Sequence, residues 1–148
     1  MTKLDIQGEL PEGISSYAIQ DFADFILRQE ARECHFQISL LLTNSEAMQE
    51  YNRKYRGVDS STDVLTFVGE ILDLGIGNLC ICDIIIDTNQ VFKQKGKNTY
   101  REEFWQVLIH ALLHLAGYDH IRSADRKKME DAEDNYRKQI PGDIKLGF

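Results

Sequence analysis

Apolar residues recur along this chain with two periods, one helical and one of strand type, and their succession sets out the elements. Leu4 to Ile6 reads as a short opening strand. From Ile14 to Glu30 the apolar side chains stand at Ile14, Tyr17, Ala18, Phe22, Phe25 and Ile26, the spacing of a helix with one buried face. Phe36 to Leu42 is rich in strand formers and ends at Thr43-Asn44. Thr43 and Glu46 there form a capping box, which predicts a second helix to about Tyr55. Asp63 to Val68 and Leu79 to Ile86 read as strands, with Gly69 to Asn78 as a long hairpin connection. A third helix is expected from Asp87 to Lys95. Thr99 and Glu102 repeat the capping-box pattern and open a fourth helix that ends at Gly117. Ser123 caps a last helix, Ala124 to Gln139, stopped by Pro141-Gly142. The fold class expected is α+β: a small mixed sheet of three to four strands packed by about five helices, as one domain over residues 1–148, with a metal site in a cleft.

The fourth helix carries the chemistry. Between Glu103 and Ala116 the polar side chains, apart from the indole N–H of Trp105, are Glu103, Gln106, His110 and His114. At about 100° per residue these fall on one narrow stripe. Every other face is apolar, which marks a core helix whose polar stripe must be satisfied by something. His110 and His114 lie one turn apart on the same side. Gly117 permits a sharp turn, and His120 follows in the segment HALLHLAGYDH. Three imidazoles with a water in the fourth position is an arrangement used for catalytic zinc. The expected cofactor is therefore one divalent metal ion, Zn2+ by its donors, held by His110, His114 and His120. The spacing equals that of the metzincin proteases, but Ala111 stands where those enzymes carry their general-base Glu. A metallopeptidase is thus one alternative. A non-catalytic binding factor with a structural metal is the other. Asp119, Glu103 and Gln106 are candidates to orient water or the ligand rings, and no residue stands out as a general base.

Composition narrows the class without deciding it. The chain has 148 residues, 43% hydrophobic and 28% charged, enough for one core. The formal net charge of −7 argues against broad charge-driven binding to nucleic acid and leaves only local basic surfaces, Arg53-Lys54-Arg56 and Lys93, Lys95, Lys97 and Arg101. No apolar run is long enough to span a bilayer and no secretion signal is read at the N-terminus, so a cytoplasmic location and no membrane partner are expected. Cys80 and Cys82 sit in the apolar run LCICDIII and read as small buried hydrophobes rather than a disulfide.

HALLHLAGYDH and NRKYRGVDSSTDVLTF together resemble the YbeY family of bacterial endoribonucleases, also described as rRNA maturation factors. The first segment agrees with the family's H-x-x-x-H-x-x-G-Y-D-H pattern at each defined position. The second agrees with N-x-x-Y-R…T-D-V-L-S-F, with Thr66 for the usual Ser, and Met129-x-x-x-Glu133 also fits. Ser61 and Val68 stand where the family usually has prolines, and Asn78 where it commonly has Asp. The resemblance implies metal-dependent cleavage of single-stranded RNA, with ribosomal RNA and the small ribosomal subunit as partners, notably the 16S 3′ end, and ribosome quality control. It implies His110, His114 and His120 as zinc ligands and Arg56 as a residue of activity.

Overall fold

The structure, a computed structural model, describes residues 1–118 and 123–141. Four strands form one mixed sheet in the order β1-β2-β4-β3. β1 (Thr2–Gln7) and β2 (Cys34–Thr43) are parallel, β2 and β4 (Asn78–Asp87) are parallel, and β3 (Val64–Asp73) runs antiparallel to β4 at the edge. A parallel pair needs a crossover, and α1 (Ser16–Glu30) supplies it between β1 and β2. α2 (Ser45–Arg56) joins β2 to β3. α3 (Thr88–Gln94), α4 (Tyr100–Leu115) and α5 (Ser123–Arg137) follow the sheet. The expected α+β class, the mixed sheet and the five helices are all present.

One face of the sheet carries the main core. Ile38, Leu40, Ile84 and Ile86 meet Phe22, Ile26, Phe104, Trp105 and Leu108 there, all 5% exposed or less. Phe22 meets the edge of Trp105 with ring centres 5.5 Å apart, tying α1 to α4. On the other face a smaller cluster, Met48, Leu65 and Ile85, sits beneath α2. Successive strand residues alternate between faces, so Ile84 and Ile86 serve the first core and Ile85 the second.

Several expectations are corrected in detail. The N-cap of α2 is Asn44, whose side chain accepts from the Ala47 N–H at 2.8 Å, and not Thr43, which stays in β2 as its last residue. Asn is as good a cap as Thr and already lies outside the sheet. Gly69 to Asn78 is mostly strand: β3 continues to Asp73, through a register shift between Val68 and Ile71, and only Leu74–Gly77 turns. A side chain at Gly69 would meet the Ile81 carbonyl at 3.0 Å, so glycine admits the bulge where a larger residue would collide. The buried stripe of α1 is Ile19, Phe22, Ala23, Ile26 and Leu27, leaving Tyr17 exposed. α5 ends at Arg137, two residues before Gln139. Among the described residues no helix is long and apolar enough to cross a membrane.

Candidate functional site

α4 is built as its sequence requires. Thr99 and Glu102 form the expected capping box at its start. From Phe104 to Leu115 every residue is buried except Gln106, His110 and His114, which are half-buried. The two imidazoles leave the helix side by side, ring centres 6.1 Å apart and planes within 14° of parallel. They line a cleft of about 410 Å³ together with Arg56, Thr62, Asp63, Val64, Leu65 and Thr66. Arg56, from the last turn of α2, and the histidines of α4 are thus brought together from distant parts of the chain.

Each ring is held through Nδ1. His110 Nδ1 lies 3.2 Å from a carboxylate oxygen of Glu133 on α5, and His114 Nδ1 lies 3.0 Å from the Tyr118 carbonyl. An oxygen acceptor at Nδ1 selects the tautomer protonated there and leaves the lone pair on Nε2. Nδ1 on an acceptor and Nε2 as ligand is the usual pattern of metal-bound histidine, so the described donor set fits a metal ion. Hydrogen bonding to Glu133 also raises the His110 pKa above its ordinary value, against the opposing effect of burial. Among the described residues alone no three His, Cys, Asp or Glu side chains form a metal-binding group. His120 and Asp119 lie outside the described residues.

The loop between α2 and β3 is pinned at three points. Gly57 takes a left-handed conformation, φ 69°, and its N–H caps the carbonyls of Asn52 and Arg53. The buried Asn52 donates from Nδ2 to the Ser60 carbonyl at 2.8 Å. Asp87, fully buried as the N-cap of α3, accepts from the Gln90 N–H at 3.0 Å and from the Ser61 hydroxyl at 2.7 Å. These contacts present Arg56, Thr62 and Asp63 to the cleft. Gln94 then links Asp63 to α4, donating from Nε2 to Asp63 at 3.1 Å and to Glu103 at 3.0 Å. Glu103 therefore reaches the cleft only through Gln94, while its other oxygen accepts from Asn98. Gln106 is half-buried on α4 and does not line the cleft.

A family model described as endoribonuclease YbeY matches residues 6–141. The chain belongs to the endoribonuclease YbeY family. A Petrotoga mobilis protein described as endoribonuclease YbeY is 39% identical over 137 residues, covering 90% of this chain and 91% of the relative. A Thermotoga maritima protein of the same description is 32% identical over 119 residues, 80% of this chain and 75% of its own. The solution structure of a Thermotoga maritima protein superposes with a TM-score of 0.61 at 27% identity, over 95% of this chain and 89% of that one. Both YbeY-like segments meet at the cleft, since Arg56, Thr62 and Asp63 come from the first and His110 and His114 from the second.

Two contributors had no role assigned from sequence. Glu133 stood out only as a motif position, and its function appears once α5 lays it beside His110. Glu30, at the end of α1, accepts from the Tyr118 hydroxyl at 2.5 Å and from the Tyr136 hydroxyl. It thereby anchors the turn whose carbonyl holds His114. The Tyr118 phenol is pushed up to about 12 by its bond to Glu30 and by burial. Nothing in sequence spacing links residue 30 to residue 118, because the contact exists only after α1 and α4 have packed.

Proposed function

We propose that this chain is a metal-dependent endoribonuclease that hydrolyses phosphodiester bonds of single-stranded RNA. His110, His114 and His120 would hold one divalent ion, with zinc the best match to three imidazoles. When bound, such an ion supplies Lewis-acid polarisation of phosphate oxygen and a water acidic enough to attack near neutral pH. The chain's own residues do the rest. Arg56 grips the phosphate with paired N–H donors and neutralises charge that develops there. Glu133 and the Tyr118 carbonyl fix the tautomer and aim of the two rings. Asp63, steadied by Gln94, is a carboxylate in the same cleft, placed to accept a proton from an attacking water. The observation that carries this reading is the pairing of His110 and His114 with Arg56 in one cleft.

The natural substrate in this reading is ribosomal RNA in the cytoplasm, at the 3′ end of the 16S species, within maturation and quality control of the small subunit. The expected result with purified protein is bound zinc by elemental analysis and RNA cleavage that a chelator abolishes. His110→Ala loses zinc and cleavage together, and Arg56→Ala keeps zinc but loses cleavage. Wild-type cleavage by His110→Ala refutes a catalytic metal. Cells lacking the protein accumulate 16S RNA with unprocessed 3′ ends, and correct ends there refute the assignment of substrate.

A further inference from the structure

α3 and the turn after it form a stretch without a carboxylate. Between Asp87 and Glu102 stand Lys93, Lys95, Lys97 and Arg101 and no acidic residue, in a chain of formal net charge −7. Lys93 and Lys97 are exposed and Lys95 is half-buried. On α1, α2 and α5, by contrast, cations meet a carboxylate about one turn away: Arg28 with Asp24, Arg53 with Glu50, Lys127 with Asp131 and Arg137 with Asp134. The carboxylates that border this stretch are served by neutral donors instead. Glu102 accepts from the Thr99 N–H at 2.9 Å, Glu103 from Asn98 and Gln94, and Asp63 from Gln94. Among the described residues none of the three lysines pairs with a carboxylate, so their ammonium groups make a local positive field on an acidic protein.

This surface borders the histidine cleft. Gln94 Nε2 lies 3.1 Å from Asp63, which lines the cleft, so the end of α3 meets the cleft wall. Lys93 and Lys95 flank Gln94 along the chain, each about 3.8 Å from it between Cα atoms. Gly96, at φ 58°, turns the chain back so that Asn98 reaches Glu103 in the first turn of α4, and Lys97 stands at that turn. Glu103 lies two helical turns before His110, about 10 Å of rise. An aromatic ring belongs to the same cluster. Phe92 is 54% exposed, with Lys95 Nζ 5.2 Å from its ring centre and the Tyr100 ring meeting it at 5.5 Å. The ring is thus held in place while much of its surface faces solvent. Successive helix residues lie about 100° apart, so Gln94, Lys93 and Phe92 follow one another around α3, from the cleft wall outward. Cations interleaved with an aromatic ring suit a single strand, since the ammonium groups follow phosphates and every base has a face to stack. A single strand can also splay a base onto Phe92, which a duplex cannot.

We propose that the outer side of α3 and the turn after it form a track for single-stranded RNA leaving the cleft, with Lys93, Lys95 and Lys97 on its phosphates and Phe92 stacking a base. This rests on the endoribonuclease reading and specifies where the substrate runs beyond the cleaved bond. The probe is a fluorescent single-stranded DNA of about twelve nucleotides, within the usual range of single-strand site sizes. It shares phosphates and bases with RNA and resists an endoribonuclease. Its binding to the metal-loaded full chain is read by anisotropy over a range of salt. Each phosphate contact on a single strand adds about 0.7 to the slope of log affinity against log salt, so Lys93→Gln/Lys95→Gln/Lys97→Gln should lower the slope by about 2. Phe92→Ala should weaken binding about tenfold and leave the slope unchanged. Lys3→Gln, on β1 at the opposite edge of the sheet from β3, should change neither. With the matching RNA, the triple lysine variant should raise KM and keep kcat, because the lysines touch the chain and not the reacting atoms. Circular dichroism confirms the fold of each variant. An unchanged slope in the triple variant, or an equal fall with Lys3→Gln, overturns the proposal even if the protein cleaves RNA. Competition by a polyglutamate peptide as strong as by the DNA, with Phe92→Ala binding as wild type, overturns it in favour of an acidic protein partner. The expected lysine and Phe92 effects, in a protein that cleaves no RNA, support the track and refute the nuclease reading alone.

Discussion

Replacing Glu133 by alanine removes a carboxylate that holds His110 through Nδ1. The two side chains are only 22% and 36% exposed, so water replaces the lost bond poorly. A hydrogen bond to a charged partner contributes about 1.5–3 kcal/mol, and every 1.4 kcal/mol is a factor of about ten. Metal affinity should therefore fall by about 10–100-fold, the range found when carboxylates behind ligating histidines are removed. Glu133→Gln keeps an oxygen acceptor but not the charge and should fall between wild type and Glu133→Ala. Helix α5 stays docked in both, because Met129 and Tyr136 are almost fully buried on either side of position 133. The assay is competition for zinc against a chromophoric chelator, with far-ultraviolet circular dichroism to confirm the fold. A folded Glu133→Ala protein with wild-type zinc affinity refutes the idea that this carboxylate sets the His110 ring for metal.

Glu30→Ala strips two tyrosine hydroxyls of a charged acceptor, one of them on the buried Tyr136; it should cost at least about 1.5–3 kcal/mol in urea unfolding, and an unchanged midpoint argues against the clamp. Thr99→Ala removes the capping box of α4 and should cost about 1 kcal/mol in the same measurement. Burial first, then the neighbouring Cys80 and Asp83, push the Cys82 thiol up to about 11. Iodoacetamide at pH 8 should therefore leave Cys82 unmodified in the native protein and label it on unfolding, as mass spectrometry of the peptide reads. Since the folded value is raised, stability from this thiol is full below the ordinary thiol range and is lost as pH rises through about 11; native-state labelling at pH 8 contradicts both statements.

What the sequence made legible follows from how far each signal reaches. α4 could be placed because its constraints are local: a capping box at Thr99, a glycine past its end with φ 104°, and a polar stripe on an otherwise apolar helix. Those same constraints aim His110 and His114 to one side, and the structure keeps them there. The rotated face of α1 was not legible. Tyr17 and Phe25 fit the helical period as well as Ile19 and Leu27 do, and which stripe is buried is set by packing against the sheet and α4, a long-range matter. The length of β3 was hidden for a related reason. Its outer half is an exposed edge carrying Ile71 and Leu72 with a glycine bulge, so it lacks the alternation that a half-buried strand shows.

The cleft shows the same division at the level of chemistry. Spacing along one helix is enough to pair two imidazoles, but whether a ring is a ligand depends on what occupies its other nitrogen. For His110 that group lies 23 residues downstream, and for His114 the acceptor is a backbone carbonyl whose turn is anchored by Glu30, 88 residues upstream of Tyr118. Ser61 makes the point in reverse. Where the family resemblance led one to expect a proline, the serine hydroxyl donates to the buried Asp87 and so holds the loop that carries Asp63. A proline would fix the same loop through its own backbone torsion, with no donor for Asp87. The departure in sequence is thus a change in how the loop is held, and the cleft residues Thr62 and Asp63 keep their place beside the histidines.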